Sequence, residues 1–382
     1  MKKLLFLLVV IASFLFQACN TLISSQNEPN DSTTATFEVT VISTRTLSPP
    51  TSISTPSHTP TQSLINLEGL KVIDALNISG LDKISSLQST NSYPISLYWT
   101  PDNKEIYILK SNGDIEIWDI ETSRLSRKLE SENNNVYSVG WRPERLLVAY
   151  TDKFTNEVSV WDLKNNAFLF NLGFHSDAFI NDQSVSWSPD GTKIVSAGWD
   201  NKLKIWDAST GVELKTIQRD SLWFESVSWS PDGQSIVAGH KDGTVYVINA
   251  KTWKTVNVLY GHNGSHSGGV PSVSWSPDGT MIASGGRDES KVLIWNFAGE
   301  LLQQMDDQPL TVFGLNWSID STMIASSGEG RDVIITEAAT GVELLRLGKH
   351  KPSTCCVAWS PNGKMLATVD ADGVIKIWAI RP

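Results

Sequence analysis

Cysteine is nearly missing from this chain: three residues in 382, two of them adjacent at Cys355 and Cys356. Neighbours on an extended strand point to opposite faces, so a bridge between that pair is strained, and a disulfide framework is excluded as the source of stability. The fold must rest on its core, for which the length is ample. Basic residues are also short, at 31 Lys and Arg against 41 Asp and Glu, and no block of them stands out. With a formal net charge of -10 the chain is a poor match for nucleic acid or an anionic membrane surface. No apolar run is long enough for a membrane-spanning helix. Catalytic signatures are missing as well: there is no Gly-x-Ser-x-Gly elbow, phosphate loop, His-Glu-x-x-His or Cys-x-x-Cys. No enzyme activity and no cofactor are expected.

What is present begins with Lys2-Lys3 and the apolar run Leu4 to Phe16, which ends in Phe16-Gln17-Ala18-Cys19. This resembles a bacterial lipoprotein signal, with Phe16 where that family usually has Leu. The resemblance implies removal of residues 1–18, a lipid on Cys19 and an extracytoplasmic protein anchored in the bacterial cell envelope. Residues 19–64 are dominated by Ser, Thr and Pro, most of all from Ser48 to Ser63, and cannot bury enough apolar surface to offset their ordering entropy. They read as a tether spanning on the order of 35–40 Å. The remainder, 65–382, is the folded domain.

From about residue 81 the chain repeats itself. Trp99, Trp141, Trp187, Trp229, Trp275, Trp317 and Trp359 each close a short apolar run and lead into a turn, usually Ser-Pro-Asp-Gly. A second marker follows each anchor: Trp118-Asp119, Trp161-Asp162, Trp206-Asp207, Ile248-Asn249, Trp295-Asn296, Thr336-Glu337 and Trp378-Ala379. Short antiparallel strands joined by tight turns are implied in every unit.

The period and the Trp-Asp dipeptide resemble the WD40 repeat family, which implies an all-β fold, a seven-bladed β-propeller of four-stranded antiparallel blades. It also implies a hydrogen-bonded lock in well-formed blades. The matching residues are His175, Ser196, Asp200 and Trp206 in the third unit, His262, Ser284, Asp288 and Trp295 in the fifth, and His350, Thr368, Asp372 and Trp378 in the seventh. The fourth and sixth units lack the second Trp and are expected to hold by packing alone. After Trp378 too few residues remain for an outer strand, so Leu81 to Gln88 is expected to complete the last blade and remove an exposed edge.

Three Trp have no place in the repeat: Trp199, Trp223 and Trp253. The resemblance maps Trp199, Trp223, Phe224 and Phe179 to one face of the disc, with Lys241, Arg287 and Arg331 at turns related to that of Trp199. Aromatic and Arg side chains together suit a protein-binding face. A second reading has Trp223 and Phe224 packing over the channel mouth as a local cap. Trp253 belongs to a turn on the opposite face. His262 and His266 are the best metal candidates, but no carboxylate or Cys is near them in the sequence, and no metal is expected. The expected molecule is a monomeric, non-catalytic scaffold for a protein partner. The alternative is a channel-based enzyme or small-ligand binder, against which the inner strands offer Ser96, Ser138, Ser184, Ser226 and Ser272.

Overall fold

The computed structural model describes residues 64–89, 92–130, 136–142, 147–152, 155–176, 184–219, 222–264, 268–348, 350–351 and 353–382. Cys19, the tether, Phe179 and His266 lie outside them, as does the side chain of Cys355. A short 3-10 turn, Ile78–Gly80, precedes strand β1 (Asp82–Gln88). Blade 1 is β2 (Pro94–Trp99), β3 (Glu105–Lys110), β4 (Ile115–Asp119) and β5 (Arg124–Leu129). Blade 2 is β6 (Val136–Arg142), β7 (Leu147–Asp152), β8 (Glu157–Asp162) and β9 (Ala167–Phe174). Blade 3 is β10 (Ser184–Trp187), β11 (Lys193–Ala197), β12 (Lys202–Asp207) and β13 (Glu213–Gln218). Blade 4 is β14 (Phe224–Trp229), β15 (Ser235–His240), β16 (Thr244–Asn249) and β17 (Thr255–Tyr260). Blade 5 is β18 (Ser272–Trp275), β19 (Met281–Gly285), β20 (Val292–Asn296) and β21 (Leu301–Met305). Blade 6 is β22 (Val312–Trp317), β23 (Met323–Gly328), β24 (Val333–Glu337) and β25 (Glu343–Leu347). Blade 7 has β26 (Thr354–Trp359), β27 (Met365–Asp370) and β28 (Val374–Ala379), and takes its fourth strand from β1.

The protein is therefore a seven-bladed β-propeller of four-stranded antiparallel sheets. Its closure follows the sequence: β1 pairs with β28 from Asp82↔Ala379 to Gln88↔Val374. Innermost strands of successive blades contact one another around the ring, and β2 meets β26 where it closes. Second and third strands are buried on both faces, as in Ile194, Val195, Leu203 and Ile205 of blade 3, all fully inaccessible, so each blade packs on two neighbours.

Anchor tryptophans of blades 1, 2, 3 and 6 stitch the inner strands. Trp99 Nε1 donates to the Ala358 carbonyl at 3.0 Å, Trp187 Nε1 to Gly140 at 2.9 Å, and Trp141 Nε1 to Ser96 Oγ at 2.9 Å. Each bond crosses from one blade to the preceding one. The Ser-Pro-Asp-Gly turns close through Ser188 Oγ, which donates to Asp190 at 2.6 Å, while the Thr192 amide donates to the same oxygen at 2.9 Å. Hydrogen bonds, that from Ser188 foremost, hold the Asp190 carboxyl below the usual carboxylate range. The sixth unit, which lacks Pro and Gly, makes the same turn: Ser318 donates to Asp320, and Ser321 takes the left-handed conformation at φ 62.

One feature exceeds the expected closure. Upstream of β1, the Ile73 amide bonds to the Gly363 carbonyl and the Lys71 amide to Ile380, while Leu70, Ile73, Ile78 and Leu81 are buried against blades 6, 7 and 1. The clasp is therefore a strap and a strand, from about residue 70 to 88.

Candidate functional site

Hydrogen-bonded locks hold the turns that carry Trp199 in blade 3 and Arg287 in blade 5. In blade 3 the expected set is complete. His175 meets Asp200 Oδ1 through Nδ1 and Ser196 Oγ through Nε2, both at 2.8 Å, and Trp206 Nε1 donates to Ser196 at 2.9 Å. Burial by itself would raise Asp200, but the hydrogen bond and charge of His175 outweigh it and lower the carboxyl. Gly198 belongs to this lock: a Cβ there would lie 2.3 Å from the His175 ring.

In blade 5 His262, Ser284 and Trp295 are joined as expected, at 2.7 Å and 2.8 Å, but the acid is Glu289, which bonds His262 Nδ1. Asp288 is turned away at φ 55 and accepts a bond from Thr311 at 3.1 Å. The reason is register: Ser196 pairs with Lys204 but Ser284 with Leu293, one residue further on, and the longer hairpin moves the acid by one position. In blade 7 His350 reaches Thr368 at 3.2 Å and Trp378 donates to Thr368 at 3.0 Å, yet Asp372 points outward to Lys351. Strand β27 continues through Asp370, and that carboxylate stands 3.9 Å from His350 Nδ1. Burial, with the neighbouring Lys376 charge, pushes His350 down to about 4.

Two blades use devices the sequence reading missed. Blade 1 buries an ion pair, Lys110 to Glu116 at 2.7 Å, and Trp118 donates to the other Glu116 oxygen at 3.2 Å. Blade 6 does not hold by packing alone: Gln308 stands in the His position and accepts from Ser326 at 2.5 Å.

The candidate face gathers at blades 3 to 5. Trp199, in the turn between β11 and β12, stacks on Trp223 with ring centroids 4.3 Å apart and planes inclined by 23°. Leu222, at φ 59, turns the chain into β14 and sets the position of Trp223. The Lys241 amide bonds to the Trp223 carbonyl at 3.0 Å, and its ammonium lies 5.6 Å from the indole centroid. Beneath the pair is Glu225, only 2 % exposed, with Oε1 at 3.3 Å from Arg287 and 3.6 Å from Lys241. Gly269 must lack a side chain here, since a Cβ would meet Glu225 Oε2 at 2.3 Å, and its own φ is +132. The structure thus brings Trp199, Trp223, Lys241 and Arg287 together.

Phe224 is corrected. It is fully buried, edge-on to His240 at 5.0 Å and Tyr246 at 5.8 Å, and belongs to the core of blade 4. Residue alternation is the reason: Trp223 precedes the strand while Phe224 starts it and points inward. Arg331 is exposed in the β23–β24 turn of blade 6, away from the indole pair. Trp253 packs edge-on against Trp229 at 6.5 Å. His262 has both ring nitrogens committed to its lock.

The channel mouth holds a cavity of about 240 Å³ lined by Ser96, Ser138, Ser184, Ser226 and Ser272, as the inner-strand pattern indicates. Glu225 also lines it, a carboxylate that the sequence reading did not place at the axis.

Comparison with known proteins follows the same architecture. The family model described as WD domain, G-beta repeat matches residues 167–207, 211–249, 253–296 and 341–379. Each match begins around the outer strand of one blade and ends with the third strand of the next, the offset that the β1–β28 clasp closes. The chain is thus a seven-bladed propeller with WD40 repeats in four positions. One segment is 30% identical over 99 residues to anaphase-promoting complex subunit cdh1 of Dictyostelium discoideum, covering 26% of this chain and 13% of that protein. Another is 32% identical over 104 residues to protein transport protein SEC31 of Pyricularia oryzae, covering 26% and 8%. A third is 25% identical over 150 residues to protein groucho of Drosophila melanogaster, covering 38% and 20%. The matches span a fifth or less of each of these relatives.

Proposed function

We propose that this chain is an exported, lipid-anchored interaction module, without catalytic activity, that recognises a protein partner through the face bearing Trp199, Trp223, Lys241 and Arg287. The observation that carries this reading is the indole stack at 4.3 Å with Lys241 beside it, mounted on turns fixed by the blade locks. Such a surface offers aromatic area backed by two cations that Glu225 holds from below, and it loses little conformational freedom on binding. The relative named as a subunit of a complex favours the same reading. Anchoring rests on the sequence ending at Cys19, and the segment from there to residue 64 sets the reach from the membrane.

The test is a cross-linked pull-down from native membranes comparing wild type with the Trp199→Ala, Trp223→Ala double variant. Loss of specific proteins from the variant supports the face, and recovery of the same proteins by both removes it. A second reading, a small ligand in the channel, is favoured by Glu225 and the five serines around the 240 Å³ cavity. A reproducible thermal shift with a metabolite, lost in Glu225→Gln, would select it instead.

A further inference from the structure

Two residues before the second marker of each repeat lies a position whose side chain points to the same face as the marker. Six blades fill it with a long side chain: Glu116, Lys204, Tyr246, Leu293, Ile334 and Lys376. In four of them a cation lies there, in blade 7 the buried Lys376 itself. Lys204 in blade 3 lies 5.3 Å from the Trp206 ring and 5.9 Å from Phe174, donates to the Phe174 carbonyl at 2.8 Å and pairs with Glu213 at 3.3 Å. Arg219 stands 4.5 Å over Tyr246 in blade 4, and Lys110 meets Glu116 in blade 1. Blade 2 has Ser159 instead.

At that place, on the flank of blade 2 towards blade 1, is a cavity of about 530 Å³, lined by Glu130, Glu157, Ser159, Trp161 and Phe168 among others. Trp161 and Phe168 are register partners on β8 and β9 and so share a face, and Phe168 is 50% exposed. Lys128 is held between Asp114 at 2.9 Å and Glu130 at 3.1 Å, which leaves Glu157 as the carboxylate that no described residue pairs in an ion bridge. Aromatic rings and a carboxylate also surround Lys204 one blade further on, whereas in blade 2 the same position carries Ser159 and opens on the cavity.

We propose that this cavity is a docking seat for the alkylammonium of a lysine side chain carried by a partner protein. The four-carbon stem lies along Trp161 and Phe168, and the ammonium is received by Glu157 and by the faces of the rings, as in blade 3. The seat is separate from the indole face and does not depend on it.

The experiment titrates the full chain, with its tryptophans 15N-labelled, using Nα-acetyl-lysine amide as probe, and follows the Trp161 indole N–H resonance, assigned with Trp161→Phe. The expected result is a saturable shift, absent with the isosteric Nα-acetyl-norleucine amide and about tenfold weaker in Glu157→Gln, the loss of one charge-assisted bond. Ser159→Lys fills the seat as Lys204 does in blade 3, and is expected to abolish the response while keeping the wild-type melting temperature. Equal shifts with the norleucine probe overturn the proposal, as does undiminished lysine binding by a folded Ser159→Lys or Glu157→Gln variant.

Discussion

The clasp is the joint on which the whole ring depends, and it can be loosened by two side chains without cutting the chain. Ile73, 2 % exposed, sits in the core shared by blades 6 and 7, and Leu87, 4 % exposed, in the core shared by blades 7 and 1. Truncating a buried aliphatic residue to Ala costs about 2–4 kcal/mol. A domain of roughly 320 residues unfolds with an entropy of about 0.7 kcal/mol/K, from about 2.1 cal/mol/K per residue. Each single substitution is therefore expected to lower the melting temperature by about 3–6 °C, and the Ile73→Ala, Leu87→Ala pair by about 6–12 °C. Val72→Ala is the control, because Val72 is 51 % exposed, and it should leave the melt within about 1 °C of wild type. Scanning calorimetry of the full chain decides the matter. A double variant that melts within about 2 °C of wild type would refute the claim that strap and strand close the ring.

Other perturbations read the locks and the anchor. Ser196→Ala strips His175 and Trp206 of a shared partner in a buried site and should cost about 2–4 kcal/mol in denaturant melts. Glu289→Ala should destabilise the domain more than Asp288→Ala; the reverse order would restore the sequence-based assignment of the blade 5 acid. His350 stays neutral when folded because its pKa is about 4 against an ordinary 6.5, whereas the unfolded chain takes up a proton below about 6.5. Stability from this residue is thus complete above pH 6.5 and is lost as pH falls towards 4, by about 3 kcal/mol in all. The loss should be smaller by that amount in His350→Asn, measured by urea melts at pH 7, 5.5 and 4. Cys19→Ser should abolish lipid modification in mass spectra and shift the protein from the membrane to the soluble fraction.

The fold was legible because its markers recur in register. Seven anchor tryptophans carried blade number and strand order, and Leu81 to Gln88, as far before Trp99 as Gly211 to Gln218 lies before Trp229, marked the closing strand. The locks were legible in residue type and less so in position. Ser196, Ser284 and Thr368 could be counted, but the acid depends on the hairpin: one inserted residue lengthens it in blade 5, and in blade 7, at the same span as in blade 3, β27 runs on through Asp370. Lys110–Glu116 and Gln308–Ser326 escaped because they replace the lock by different chemistry at the same places. On the face, Trp199 and Trp223 stood out as tryptophans outside the repeat, and the structure stacks them. Phe224 carried the same signal but falls on the inward side of β14, a distinction of one residue at a strand start. Glu225 gave none, since nothing in the sequence marks a lone carboxylate as axial.

Recognition through the indole face is tested most directly by site-specific photo-cross-linking in the native membrane. A benzophenone side chain replacing Leu222, 38 % exposed and next to Trp223, should give a discrete cross-linked species that disappears in the Trp199→Ala, Trp223→Ala background. The same probe at Val342, exposed in the turn between β24 and β25, should give no such species. Equal cross-linking at the two positions, or a Leu222 adduct that survives loss of both indoles, would contradict the assignment of that face.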